Sequence, residues 1–229
     1  MLGMSVSRPL PSLQPAGDVS DFLRAPLGRY LAGSGFVVWA FCPTLIGNCY
    51  LGRMTAEDLE RLALTFHLPR HPGLTPPFDA VLDGSLLSTL DLTAYEALSS
   101  YVGSYLAQYL PLVRRVAILR PPGLTGLLVA GLYHDVLMGK VDAGLFDDYA
   151  TAFRWLGRPD SEPARAAVED LCARIKGVPA VVRRLRDFLS ARIEQGDTNI
   201  HQAAQALAMS PRTLQRQLHA AGTSFRAET

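Results

Sequence analysis

An α/β domain followed by an all-α helix-turn-helix domain is the fold class predicted by this 229-residue sequence, and three observations carry it. From Phe36 to Leu156, β-branched and aromatic runs alternate with stretches of helical periodicity, the pattern of strands joined by crossover helices around a mainly parallel sheet. Beyond Arg158-Pro-Asp-Ser-Glu-Pro163, where prolines and polar residues cluster, the pattern becomes purely helical. Charge is also split along the chain. The whole carries +1, whereas Arg174 to Arg226 holds nine Arg/Lys against three Asp/Glu, the asymmetry of a small DNA-binding end on a more acidic partner domain. The expected division is a loose N-terminal tail at 1–30, an α/β sensory or interaction domain at 31–158, a helical linker at 159–178 and the helix-turn-helix at 179–229.

In chain order, Pro9, Pro11, Pro15 and Gly17 without periodicity make the first twenty residues a tail, and residues 21–31 are expected to form a short amphipathic helix. The runs 36–41 and 45–51, split by Cys42-Pro43-Thr44, predict a hairpin. Thr55 caps the next helix, whose first turn is acidic and whose buried stripe is Leu59, Leu62, Ala63 and Phe66. A short strand at 78–83, closed by Gly84, is followed by a helix at about 92–109 and a strand at 113–119 stopped by Pro121-Pro122. An apolar helix at 124–138 and a helix at 146–156 complete the domain. Further on, Val181, Leu185, Phe188, Leu189 and Ile193 form the stripe of a scaffold helix.

The last thirty residues write two short helices with a tight joint. Ala204, Leu207 and Ala208 lie on one face of the first, and Leu214 and Leu218, four apart, on one face of the second. Ser210 suits the N-cap and Pro211 the first helical position, where its missing N–H is not needed. The second helix projects Arg212, Thr213, Gln215, Arg216 and His219, side chains able to bond phosphates and base edges, and Arg183 and Arg184 on the scaffold helix are candidate phosphate contacts.

No catalytic constellation appears: there is no phosphate-cradling glycine loop, nucleophile elbow or spaced ligand set, so neither enzyme activity nor a metal or other cofactor is expected. Cys42, Cys49 and Cys172 are an odd number without metal-ligand spacing, which reads as free thiols in a reducing cytosol. Cys42 and Cys49 could sense redox state if the hairpin joined them; buried strand cysteines are the plainer reading. No signal peptide or membrane-spanning stretch is written, so a cytoplasmic location is expected.

The C-terminal stretch resembles the first half of an AraC/XylS-family DNA-binding domain. The carrying residues are the scaffold helix 181–195, the turn Leu207-Ala208-Met209-Ser210, Ser210-Pro-Arg-Thr-Leu-Gln-Arg-Gln-Leu218, and Gly222-Thr-Ser-Phe225. That resemblance implies a transcriptional regulator with Arg212, Thr213, Gln215 and Arg216 facing the major groove of double-stranded DNA, and a homodimer through the N-terminal domain. Ala208 stands where the family usually has glycine. The family domain has two such units joined by a long helix, so the sequence is expected to be truncated after the first, with weak, salt-sensitive DNA binding as the consequence.

Residues 36–157 are similar in plan to STAS-type (anti-sigma-factor antagonist) domains, through Asp83-Gly-Ser85 after a strand, Asp91-Leu-Thr93-Ala94 opening a helix, the strand Val116-Ala-Ile-Leu119 and a closing helix. The resemblance implies an N-terminal domain that senses a small-molecule effector or a protein partner, with Thr93 as a regulatory phosphosite. Read on its own residues, Thr93 caps its helix with Glu96. The alternative function is a STAS-like protein-interaction switch with little DNA binding of its own.

Overall fold

The computed structural model describes residues 12–90, 92–101, 109–121, 123, 126, 131, 137, 139–190, 192 and 199–228. The N-terminal part is a mixed α/β domain on one seven-stranded sheet whose spatial order follows the chain. Its strands are β1 (Gln14–Pro15), β2 (Arg29–Ala32), β3 (Phe36–Cys42), β4 (Leu45–Met54), β5 (Phe78–Leu90), β6 (Val113–Leu119) and β7 (Asp142–Phe146). The helices are α1 (Val19–Arg24), α2 (Ala56–Ala63), α3 (Leu92–Tyr101), α4 (Tyr149–Leu156), α5 (Ser161–Gly177), α6 (Ala180–Ser190), α7 (Ile200–Ala206), α8 (Pro211–Ala220) and α9 (Phe225–Glu228). Strands β2, β3 and β4 are antiparallel neighbours, whereas β4 to β7 run parallel, and so does β1 beside β2.

Period-two alternation makes the buried strands apolar on both faces. Phe36, Val38 and Ala40 of β3 and Val116 and Ile118 of β6 join Phe22, Leu59 and Leu62 in one core. Val37 and Trp39 of β3 and Ala117 and Leu119 of β6 join Phe153, Leu156, Val168 and Leu171 of α4 and α5 in the other. Residues 159–178, expected as a linker, are thus helical and also form one wall of the domain: Ala164, Val168, Leu171 and Ile175 of α5 are buried there.

Several elements depart from the sequence expectation. From residue 12 the N-terminal stretch is not a loose tail, since Leu13 and Phe22 are buried and β1 pairs with β2. The expected helix over 21–31 is instead α1, capped by Asp18 and ended before Pro26, and then β2. The strand closed at Gly84 instead continues to Leu90, with irregular register against β4. Residues 142–146 are a strand, and the helix expected from Phe146 starts at Tyr149, because Asp148 accepts from the Thr151 N–H as its N-cap. The hairpin, the Thr55 cap and β6 lie where the residues place them. The expected helix at 124–138 falls largely outside the described residues, as do positions 102–108 of the one expected at 92–109. Among the described residues, no helix is long and apolar enough to cross a membrane.

Candidate nucleic-acid interface

The C-terminal helices α6 to α9 have a core of their own, built from Val182, Leu185, Ala203, Ala204, Leu207, Leu214 and Leu218. Asn199 opens α7 with a capping box, its side chain accepting from the His201 and Gln202 N–H groups while Gln202 reaches back to the Asn199 N–H. The chain leaves α7 through Ala208, whose φ of +54° is left-handed, and the Met209 N–H donates to the Ala204 carbonyl at 2.9 Å. The position demands a left-handed backbone, which glycine adopts freely and alanine only with strain. Ser210 then caps α8, accepting from the Thr213 N–H at 3.1 Å, with Pro211 in the first turn.

With about 100° per residue, Arg212, Gln215, Arg216 and His219 fall on one face of α8, and Leu214 and Leu218 on the opposite one. Burial follows that division: both leucines are fully buried, and the four polar side chains are exposed. Among the described residues neither Arg212 nor Arg216 has an ion-pair partner, so both guanidinium groups face solvent as unneutralised cations. Thr213 is half-buried at the helix start, its hydroxyl 2.9 Å from that of Ser210.

The two scaffold arginines are placed differently. Arg183 donates to the carbonyls of Ile175, Val178 and Ser34, so its guanidinium ties α6 to the end of α5 and to the β2–β3 turn. Its expected role as a phosphate contact conflicts with that geometry, because its donors point into the protein. Arg184 is exposed and makes one long bond, 3.4 Å, to the Leu207 carbonyl. Arg186 pairs with Glu228 at 2.6 Å, docking α9 on α6, and this contact holds the Glu228 carboxyl below its ordinary value. Thr93 is exposed inside the first turn of α3 rather than ahead of it, so it does not take the capping position expected of it.

Two polar clusters in the α/β domain come together only through the fold. Asp79 accepts a bidentate pair from Arg114 and a third bond from Arg158, which also holds Asp160 and Thr44, and these side chains line a cleft of 610 Å³. In the second cluster Cys49 meets Cys172 and Asp83 rather than Cys42, and the Tyr149 hydroxyl bonds Asp83 and Cys172. The hydrogen bond with Cys172, and then burial, push the Cys49 thiol well above its ordinary range, and burial raises the Tyr149 hydroxyl far above its own. Both groups donate to Asp83 Oδ2. The one available signal was Asp83 itself, an acid at a core-facing position of an apolar strand.

No family model matches the chain, and no match is found among curated proteins. Among solved structures, the chain is similar to an uncharacterized protein from the DUF3478 family with a SpoIIAA-like fold from Shewanella loihica. The match has 21% identity over 49% of this chain and 83% of that one, with a TM-score of 0.36.

Proposed function

We propose that this chain is a sequence-specific DNA-binding transcriptional regulator, without enzymatic activity, in which α7 and α8 act as a helix-turn-helix and α8 enters the major groove. The observation that carries this reading is the division of α8, with two leucines anchored in a core and an exposed face of Arg212, Gln215, Arg216 and His219. Arginine and glutamine at that spacing can make bidentate bonds to base edges, while the exposed Arg184 and His219 are able to bond phosphates. The α/β domain, which we read as STAS-like, is the sensing or partner-binding module, and Thr93 is exposed where a kinase could reach it.

The test is selection from a random duplex pool, followed by fluorescence-anisotropy titration of the enriched site. Loss of one bidentate base contact in Arg216→Ala should weaken that site by about 1–3 kcal/mol while sparing binding to scrambled DNA. With two to four phosphate contacts, log affinity should fall against log salt with a slope of about −2 to −4. No enrichment, or an unchanged preference in Arg216→Ala, would overturn groove reading by α8 and favour a protein-interaction switch.

A further inference from the structure

We propose that Cys49, Asp83 and Cys172 form a binding site for a thiophilic divalent cation of the zinc class, with the Tyr149 hydroxyl beside the open position. The three ligand atoms lie within 4.8 Å of one another. They come from β4, β5 and α5, and Cys49 and Asp83 are register partners across the parallel β4–β5 ladder. Register places the first two side by side on one face of the sheet, and α5 brings Cys172 over them from a position 123 residues later. A clustering of this kind leaves no spacing motif in the sequence.

The distances suit a tetrahedral ion. With metal–sulfur bonds of about 2.3 Å and metal–oxygen bonds of about 2.0–2.2 Å, two sulfur ligands sit about 3.8 Å apart, and a sulfur and an oxygen about 3.5 Å apart. The Sγ atoms of Cys49 and Cys172 are 3.8 Å apart, and the Asp83 Oδ2 is 3.3 Å from the first and 4.0 Å from the second. The carboxylate is already oriented. The Ser85 N–H donates to Oδ1 at 2.7 Å, leaving Oδ2 turned toward the sulfurs. Tyr149 donates to the same oxygen and lies 3.2 Å from the Cys172 sulfur, so its hydroxyl can steady the carboxylate or fill a fourth position.

Burial makes the arrangement selective. Cys49 and Asp83 are each 1% exposed and Cys172 9%, and among the described residues no cation pairs with Asp83. Binding of M²⁺ to the two thiols forms two metal–thiolate bonds and releases two protons, so the net charge of the pocket stays at that of the lone carboxylate and no further charge is buried. Two sulfurs reject the hard ions magnesium and calcium, which take oxygen ligands, and the carboxylate disfavours a purely thiolate-loving monovalent ion. A Cys49–Cys172 disulfide would need the sulfurs to close from 3.8 Å to about 2.05 Å and would leave Asp83 without a role.

The site is independent of whether α8 binds DNA. It is tested on the full chain, stripped with a chelator and kept reduced with a phosphine, by titration with Co²⁺. The expected result is one equivalent bound with a thiolate-to-cobalt charge-transfer band and the visible bands of a tetrahedral ion, both displaced by Zn²⁺. Cys49→Ser, Cys172→Ser and Asp83→Asn should each abolish the band, Cys42→Ser should leave it intact, and Tyr149→Phe should weaken binding about 10- to 100-fold as an outer partner. Unchanged wild-type spectra across the titration would overturn the site whatever the variants do. So would a band lost in Cys42→Ser rather than Cys49→Ser, or a Cys49–Cys172 disulfide in the air-oxidised protein with no metal uptake in the reduced one.

Discussion

Replacing Ala208 by glycine should stabilise the C-terminal helices, against the usual direction for a glycine substitution. Ala208 is exposed and holds φ at +54° between α7 and α8, while its N–H donates to the Gln205 carbonyl at 3.0 Å. A side chain in the left-handed region costs about 1–2 kcal/mol through the crowding of Cβ against the following carbonyl. Glycine removes that crowding, but the freer unfolded chain takes back about 0.5–1 kcal/mol. The net gain is about 0.5–1 kcal/mol, which at RT of about 0.59 kcal/mol makes opening two- to fivefold rarer. Ala206→Gly, at the last residue of α7 and without a left-handed backbone, should instead lose about 0.5–1 kcal/mol. Hydrogen exchange followed by mass spectrometry on peptides covering 199–221 reads both as changes in amide protection. If Ala208→Gly lowers protection as Ala206→Gly does, strain at the turn is not what the position carries and the reasoning is wrong.

Two further outcomes follow from the ion pairs. Arg158 is 7% exposed and Asp79 1%, so Arg158→Met takes one of two guanidinium partners from a buried carboxylate. Urea denaturation should show a loss toward the low end of about 3–5 kcal/mol, because Arg114 still pairs with Asp79, and adding Asp79→Asn should recover part of it. Arg186 holds the Glu228 carboxyl below its ordinary 4.5. The group is therefore depressed in the folded state, and its contribution is full above that value and fades as pH falls through it toward the folded one. Thermal unfolding of the C-terminal helices by far-UV circular dichroism should lose stability across that acid range, and Glu228→Gln should flatten this part of the profile.

The elements legible in the sequence were those whose signal is local. Thr55 and Ser210 cap helices through side chain to backbone bonds three residues on, and the apolar runs at 36–42 and 113–119 fill strands buried on both faces. What escaped was set by partners elsewhere. β1 is two residues long and β7 is largely exposed, so neither shows the alternation that marks a half-buried strand, and each exists through its ladder to a neighbour. The face of α8 that carries Arg212 and Arg216 follows from the positions of Leu214 and Leu218 alone. Asp83, Cys49 and Cys172, by contrast, meet only once the sheet register and the packing of α5 are set.

Arg183 shows why charge in a sequence does not by itself locate an interface. As a count it adds to the basic excess of the C-terminal end, and on a scaffold helix it reads as a phosphate contact. In the fold, the Arg183 guanidinium donates to the Val178 carbonyl at the end of α5 and to the Ile175 carbonyl, which also accepts from the Val178 N–H at 3.0 Å, and it complements the negative end of the helix. Its third bond, to Ser34, lies on the other side of the joint. Turning this side chain toward solvent would take the charged donor from the Val178 and Ser34 carbonyls, at about 1–3 kcal/mol for each that is left buried and unpaired, while Ile175 would keep the Val178 N–H. The balance favours the inward position. Arg183 therefore fixes how α6, and with it α8, is carried on the α/β domain.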